Sequence, residues 1–144
     1  MNVASILDRK SSDRIVTIEP DKTVLDAVDR LVEHGIGSLL VLDGEVLLGI
    51  ITERDVLRCC ADDPVKMAET KVSEVMTREL IVASPDDDVE DVMSTMTRNR
   101  IRHLPILVDE SLKGIISIGD VVESQLHEFQ SENRHLRRYI AGSY

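Results

Sequence analysis

Apolar positions along this chain alternate between two kinds of pattern. Ile15-Val16-Thr17-Ile18 is a strand-like run, closed by Glu19-Pro20-Asp21. Val24, Ala27, Val28, Leu31 and Val32 then recur at helical spacing on one face. Thr23 is the N-cap expected for that helix. Asp26, three residues on, makes a capping-box variant, and Gly35 stands where a left-handed residue ends the helix. Ile36 to Leu42 is continuously apolar, the mark of a buried strand. Asp43-Gly44 signals a tight turn, and Val46 to Ile51 is the return strand. A second helix begins at Glu53 or Arg54 and runs to about Ala61, where Asp62-Asp63-Pro64 closes it. Before all this, Val3 to Leu7 reads as a short amphipathic helical turn and Lys10 to Asp13 as a polar loop.

The same order then returns. Gly49-Ile50-Ile51-Thr52-Glu53-Arg54-Asp55-Val56 has its counterpart in Gly114-Ile115-Ile116-Ser117-Ile118-Gly119-Asp120-Val121, 65 residues on. Pro20 with Pro85, Asp26 with Asp91, Ile36 with Ile101 and Leu42 with Leu107 keep that offset without a gap. Val72 to Met76 partners the N-terminal turn, after a polar connector at residues 62 to 71. Leu80 to Ala83 is the expected strand. Asp88 caps a helix carrying Val89, Val92, Met93 and Met96, and strands at Leu104 to Val108 and Leu112 to Ile116 flank Asp109-Glu110. Each copy thus predicts β-α-β-β-α. A copy alone buries too little surface to be stable, so two are expected to pack about a pseudo-twofold axis with equivalent clefts. The fold class is α/β (α+β). A last helix from near Gly119-Asp120 outlasts its counterpart. Its Val122, Leu126, Phe129, Asn133, Leu136 and Ile140 step by four and three, a heptad seam open to self-association or to packing on the chain's own body.

Composition narrows the function. Of 144 residues 42% are hydrophobic, with aromatics only at Phe129, Tyr139 and Tyr144, so the core is aliphatic and no stacking face for single-stranded nucleic acid is expected. The net charge of −10 argues against nonspecific nucleic-acid or acidic-membrane binding. Any anionic ligand needs a local basic patch against that field. The adjacent Cys59 and Cys60 are a poor disulfide and a poor metal set, and read as reduced helix residues. With no signal peptide and no run long enough to span a bilayer, a cytoplasmic protein is expected.

The residues that can carry chemistry are few. Asp55 and Asp120 open helices three residues after Thr52 and Ser117. They serve either as caps that favour the helix dipole or as carboxylates that accept from the two hydroxyls of a ribose, with the hydroxyl residues as donors to a phosphate. Arg98-Asn99-Arg100-Ile101-Arg102-His103 is a dense basic cluster at the entry of a strand. Its first-copy counterpart, Glu33-His34-Gly35-Ile36-Gly37-Ser38, has no Arg. It is either a solvated charge run or an asymmetric grip on one anion. Asp86-Asp87-Asp88 is either an acidic first turn or a divalent-ion site. There is no Gly-rich phosphate loop with Lys, no nucleophile elbow and no HExxH.

The tandem units, the two strand-hydroxyl-Asp motifs and the Arg-His-Leu-Pro-Ile entry at Arg102 to Ile106 resemble a cystathionine-β-synthase (CBS) domain pair, the Bateman module, over about residues 1 to 125. The plan is similar to that of small stand-alone bacterial CBS proteins. The resemblance divides the chain into a first repeat with its N-terminal turn (1–65), a second repeat (66–125) and a C-terminal helical tail (126–144). It implies a non-catalytic regulatory module with no obligatory cofactor. Such modules bind AMP, ADP, ATP, NAD(P) or S-adenosylmethionine in clefts between their halves, often dimerise, and act on a partner in trans. Carried onto this chain, one cleft uses Asp120, Ser117 and Ile115, with Ile15 and Val16 at the base, Gly37 and Ser38 nearby, and Arg102 and His103 toward phosphates. The other uses Asp55, Thr52 and Ile50, with Arg54 toward phosphate and Ile81 closing the base pocket. Ala83 is taken to stand in the place of Thr17, and Gly119 in that of Arg54, so one strong and one weak site are expected. The alternative function is a scaffold dimer that acts through its tail helix. An enzyme is not expected.

Overall fold

The computed structural model describes residues 1–10 and 15–142. Beyond Lys10, the expected loop at Lys10 to Asp13 lies outside the described residues. The elements in chain order are α1 (Val3–Arg9), β1 (Thr17–Ile18), α2 (Val24–His34), β2 (Ser38–Asp43), β3 (Val46–Thr52) and α3 (Glu53–Asp62). A 3₁₀ turn (Pro64–Ala68), α4 (Val72–Val75), α5 (Val89–Asn99), β4 (His103–Val108), β5 (Ser111–Ser117) and α6 (Ile118–Ile140) follow. One sheet has the order β1-β2-β3 and the other pairs β4 with β5. This is the mixed α/β class expected, with a C-terminal helix.

The local rules act where the sequence places them. Thr23 caps α2 and Asp26 closes the box by accepting from the Thr23 N–H, while Gly35 ends the helix at φ 61°. β2 runs with Leu39, Leu40 and Val41 buried, parallel to β1 and antiparallel to β3, which covers the backbone of both its edges. Two expectations change. The run Leu80 to Ala83 is not a strand. Only Ala83 makes a bridge, parallel to Ile106, while Ile81 and Val82 are exposed. Val32 sits at the expected helical angle but is 77% exposed, because the layer that covers Val24, Ala27 and Leu31 does not reach it.

The chain clusters into two compact units that do not follow chain order. One comprises Asp13–Val82 with Leu107–Lys113, the other Met1–Ser12, Ala83–Ile106 and Gly114–Tyr144. We call them the first-copy and second-copy units. The core of the first-copy unit gathers Ile18, Ala27, Leu31, Leu39, Val41 and Ile51 with Val72 and Met76 of the second helical turn. The core of the second-copy unit gathers Val89, Val92, Met96, Leu104, Ile106, Ile116 and Val121 with Val3 and Ile6 of α1. Each short turn docks by backbone bonds. Val3 N–H donates to Asp87 O and Ala4 N–H to Pro85 O, both at 2.9 Å. In the other unit Val72 N–H donates to Lys22 O at 2.8 Å and Ser73 N–H to Pro20 O at 3.1 Å. The helical turn that precedes one copy is therefore built into the unit of the other.

Matched glycines make room for the chain after one turn and for a side chain of the other. A Cβ on Gly49 would lie 2.6 Å from Thr77 O, and one on Gly114 would lie 2.7 Å from Leu7 Cδ2, closer than real side chains come. The left-handed ends of α2 and α5 are also matched, but α5 ends on Arg100 at φ 55° where α2 has Gly35. A side chain there is strained. Arg100→Gly is expected to raise stability by about 0.5–1 kcal/mol, and Gly35→Ala to lower it by about 1 kcal/mol, in urea unfolding at pH 7.

Candidate functional site

At the end of β3 and of β5 the chain passes from strand to helix with no residue between. In the first-copy unit, Thr52 Oγ1 accepts from Asp55 N–H at 3.3 Å, and Asp55 Oδ2 accepts from Thr52 N–H at 2.9 Å. In the second-copy unit, Ser117 Oγ accepts from Asp120 N–H at 3.1 Å, and Asp120 Oδ2 accepts from Ser117 N–H at 2.7 Å. The facing strand adds a matched bond. Glu53 N–H donates to Gly37 O at 3.0 Å, and Ile118 N–H to Arg102 O at 2.8 Å. Both Asp residues thus cap helices, the structural use open to them from sequence.

Each carboxylate also receives a donor from the segment after a short helical turn, and here the copies part. Asp55 is 5% exposed and faces Thr77, whose hydroxyl lies 3.3 Å from Oδ1 and 3.4 Å from Oδ2. Thr77 is fixed by exchanging backbone bonds with Ile50, 3.0 and 2.8 Å. Asp120 meets Lys10 instead. The ammonium donates to Asp120 Oδ2 at 2.7 Å and to Ile115 O at 3.0 Å. Neither Thr77 nor Lys10 was singled out from sequence. The only signal is position, shortly after α4 and directly after α1.

The other expected site residues are placed as follows. Thr52 and Ile50 stand with Asp55 and Thr77, whereas Arg54 is exposed on the outer side of α3 and Ile81 is exposed without a strand partner. Ser38 is buried opposite Thr52, beside Gly37. Val16 leans on the first-copy core and Ile15 is half-buried ahead of β1. Ser117, Ile115, Arg102 and His103 stand with Asp120 and Lys10. The parallel pairings correct one equivalence. Ile18 pairs with Val41 and Ala83 with Ile106, so Ala83 answers Ile18, and Val82 answers Thr17. The Thr17 hydroxyl is therefore lost at Val82, not at Ala83.

Asp55 also lines a cleft of about 320 Å³ with Arg58, Cys59 and Asp62 of α3 and Lys66 and Val75 across from them. Cys59 and Cys60 are free thiols. Asp87 Oδ2 accepts from Ser84 N–H at 2.9 Å and Asp88 Oδ1 from Glu90 N–H at 3.2 Å, so this acidic run shapes the turn into α5. No helix among the described residues is long and apolar enough to cross a membrane.

The electrostatics of the second-copy site follow from its crowding. Burial would raise the Asp120 carboxyl, but the hydrogen bonds from Lys10 and Ser117 and the Lys10 charge outweigh it and hold the group below its ordinary 3.8. His103 is pushed below its ordinary 6.5, first by burial and then by the Lys10 and Arg102 charges, with Asp120 opposing.

The family model of the CBS domain matches the chain twice, at residues 3–62 and 72–127. The mitochondrial CBS domain-containing protein CBSX3 of Arabidopsis thaliana is 43% identical over 129 residues. That match covers 86% of this chain and 63% of the relative, so the chain spans under two thirds of the relative's length. Among solved structures, the CBS-domain protein ATU1752 of Agrobacterium tumefaciens superposes at TM-score 0.81 with 36% identity, covering 87% of this chain and 99% of that one. The CBS pair of protein MJ0100, solved with 5′-methylthioadenosine and S-adenosylmethionine, gives TM-score 0.74 at 27% identity, covering 90% and 98%. CBSX2, solved with AMP, gives TM-score 0.74 at 25% identity, covering 88% and 96%.

A pH prediction comes from the two shifted groups. Below 6.5 the unfolded chain takes up a proton at His103 before the folded chain does, so the stability tied to a neutral His103 is complete above 6.5 and drains as pH falls through the folded value. The Asp120 contribution is present above 3.8 and drains below it. Thermal unfolding followed by circular dichroism should therefore show a decline starting below pH 6.5 that His103→Gln removes. The steeper loss below pH 3.8 should remain in that variant.

Proposed function

The chain belongs to the CBS-domain family, and on that premise we propose that it is a non-catalytic regulatory module. It binds an adenosine-containing nucleotide of the AMP, ATP or NAD(P) type at Asp55 and Asp120 and signals to a partner protein in trans. The observation that carries this reading is the repeated strand-to-helix turn. In both units it leaves one buried or half-buried carboxylate beside a hydroxyl at a strand end, held for an acceptor's role toward a diol. The adenosine ligands of MJ0100 and CBSX2 support the ligand class.

In this reading each Asp accepts from the ribose hydroxyls, and Thr52 and Ser117 flank it. Ile50, Ile115, Ile15, Val16 and Ile81 offer aliphatic surface to the adenine, near Gly37 and Ser38. Arg102 and His103 at one carboxylate, and Arg54 at the other, stand toward phosphate. Bound nucleotide favours the arrangement that it fits and shifts the population toward it. Two adjacent free thiols suit a reducing compartment such as the cytoplasm.

A second reading, a scaffold dimer without a physiological nucleotide, is favoured by one observation. On α6 Val122, Leu126, Phe129, Leu136 and Ile140 are between 54% and 82% exposed, so the heptad face does not pack on the chain's own body. We propose that this face pairs two copies in a homodimer, a role compatible with either reading. Phe129→Glu with Leu136→Glu is expected to convert a dimer to monomers in sedimentation equilibrium. An unchanged mass would remove the pairing role.

The nucleotide reading is tested by thermal shift with AMP, ATP, NAD, NADP and S-adenosylmethionine. A ligand at a hundred times its dissociation constant adds about 2.7 kcal/mol, a rise of several degrees in midpoint. Asp55→Asn and Asp120→Asn, which keep the shape of the cap, are expected together to abolish the rise. A rise that survives both would place the ligand elsewhere, and no rise with any ligand leaves the scaffold reading.

A further inference from the structure

Among the described residues, the cation bonded to Asp120 has no counterpart bonded to Asp55. Lys10 Nζ lies 2.7 Å from the same Oδ2 that accepts from Ser117 N–H, whereas the donors to Asp55 among the described residues are the neutral hydroxyls of Thr52 and Thr77 and the Thr52 N–H. Gly37, matched to Arg102 by its carbonyl bond, lies beside the carboxylate of Glu53, 3.5 Å from the point where a Cβ would stand. One carboxylate is thus bonded to a cation, with Arg102 and His103 near it, and the other to neutral groups, in a cleft that Arg58 and Lys66 also line.

We propose that Lys10 sets the ligand class at Asp120, selecting adenosine 5′-phosphates over uncharged or cationic adenosine derivatives. The inference rests on the nucleotide reading of Asp120 given above. A ribose diol that donates to Asp120 must share or take the place of the ammonium. With adenosine, the ammonium gives up a charge-assisted bond in a half-buried place and is offered no new anion by the ligand. With a 5′-phosphate, it exchanges one oxyanion for another. Its four-carbon stem lets the head group swing while the backbone at the end of α1 stays docked. Arg102 and the N-terminus of α6 add to the same preference. A sulfonium ligand meets like charge at Lys10 and is disfavoured. At Asp55 the neutral Thr77 donor gives way without such a loss, so this effect of a displaced ammonium belongs to the second-copy unit.

The test is calorimetric titration of AMP and adenosine into the full chain carrying Asp55→Asn, which silences the other carboxylate. Lys10, Lys10→Arg, Lys10→Met and Lys10→Gln are compared in that background. The ratio of adenosine to AMP dissociation constants is expected to fall about tenfold or more in both neutral variants and to hold in Lys10→Arg. The neutral variants are further expected to bind adenosine more tightly than Lys10 does, which a merely structural lysine would not produce. A ratio unchanged in both neutral variants overturns the role of Lys10 and leaves the nucleotide reading standing. Binding of neither ligand to the Lys10 protein overturns both.

Discussion

A strand that turns into a helix without an intervening loop leaves the first N–H groups of the helix without partners, and those groups must be satisfied on the spot. Thr52 with Asp55, and Ser117 with Asp120, satisfy them, with Gly37 O and Arg102 O taking one more N–H each. The rest of each unit is arranged around this requirement. The facing strand must come close enough to offer its carbonyl. A carboxylate so held, at the edge of a sheet, then attracts a further donor from whatever chain passes by. The proposed ligand site is thus built on a capping problem.

The passing chain is what separates the two copies. Gly49 lacks the Cβ that would keep it away, Gly114 lacks the one that would meet Leu7 of α1, and the docked turns α4 and α1 fix its starting point. From matched starting points it delivers a hydroxyl to one carboxylate and an ammonium to the other. The scaffold is therefore symmetric where backbone bonds decide and asymmetric where side chains do. An acidic chain can in this way hold one locally cationic place.

The repeat and both capping boxes are legible in the sequence because they are local, with partners three residues apart and spacing kept in both copies. The helix limits and the hairpins are legible for the same reason. What fails is what depends on distant layers. Periodicity gives the angle of Val32 but not the edge of the layer that would cover it. The apolar run Leu80 to Ala83 has strand composition but finds a single bridge, at Ala83. Lys10 and Thr77 carry no motif, since their meaning comes from carboxylates 110 and 22 residues away along the chain. Ala83 answers Ile18 and not Thr17, an equivalence that the parallel pairing fixes.

The exchange of short helical turns has a consequence for biosynthesis. Val3 and Ile6 are made well before their partners Val89, Met96, Ile116 and Val121. The first-copy unit finds most of its core within one stretch ending at Met76 and gathers it early. The N-terminal segment meanwhile waits with two aliphatic side chains uncovered, and closing it requires a loop of some eighty residues. The nascent chain thus carries an unpaired segment for as long as residues 83 to 121 are still being written. The order of translation makes the second-copy unit, with the lysine-bearing site, the last to be completed.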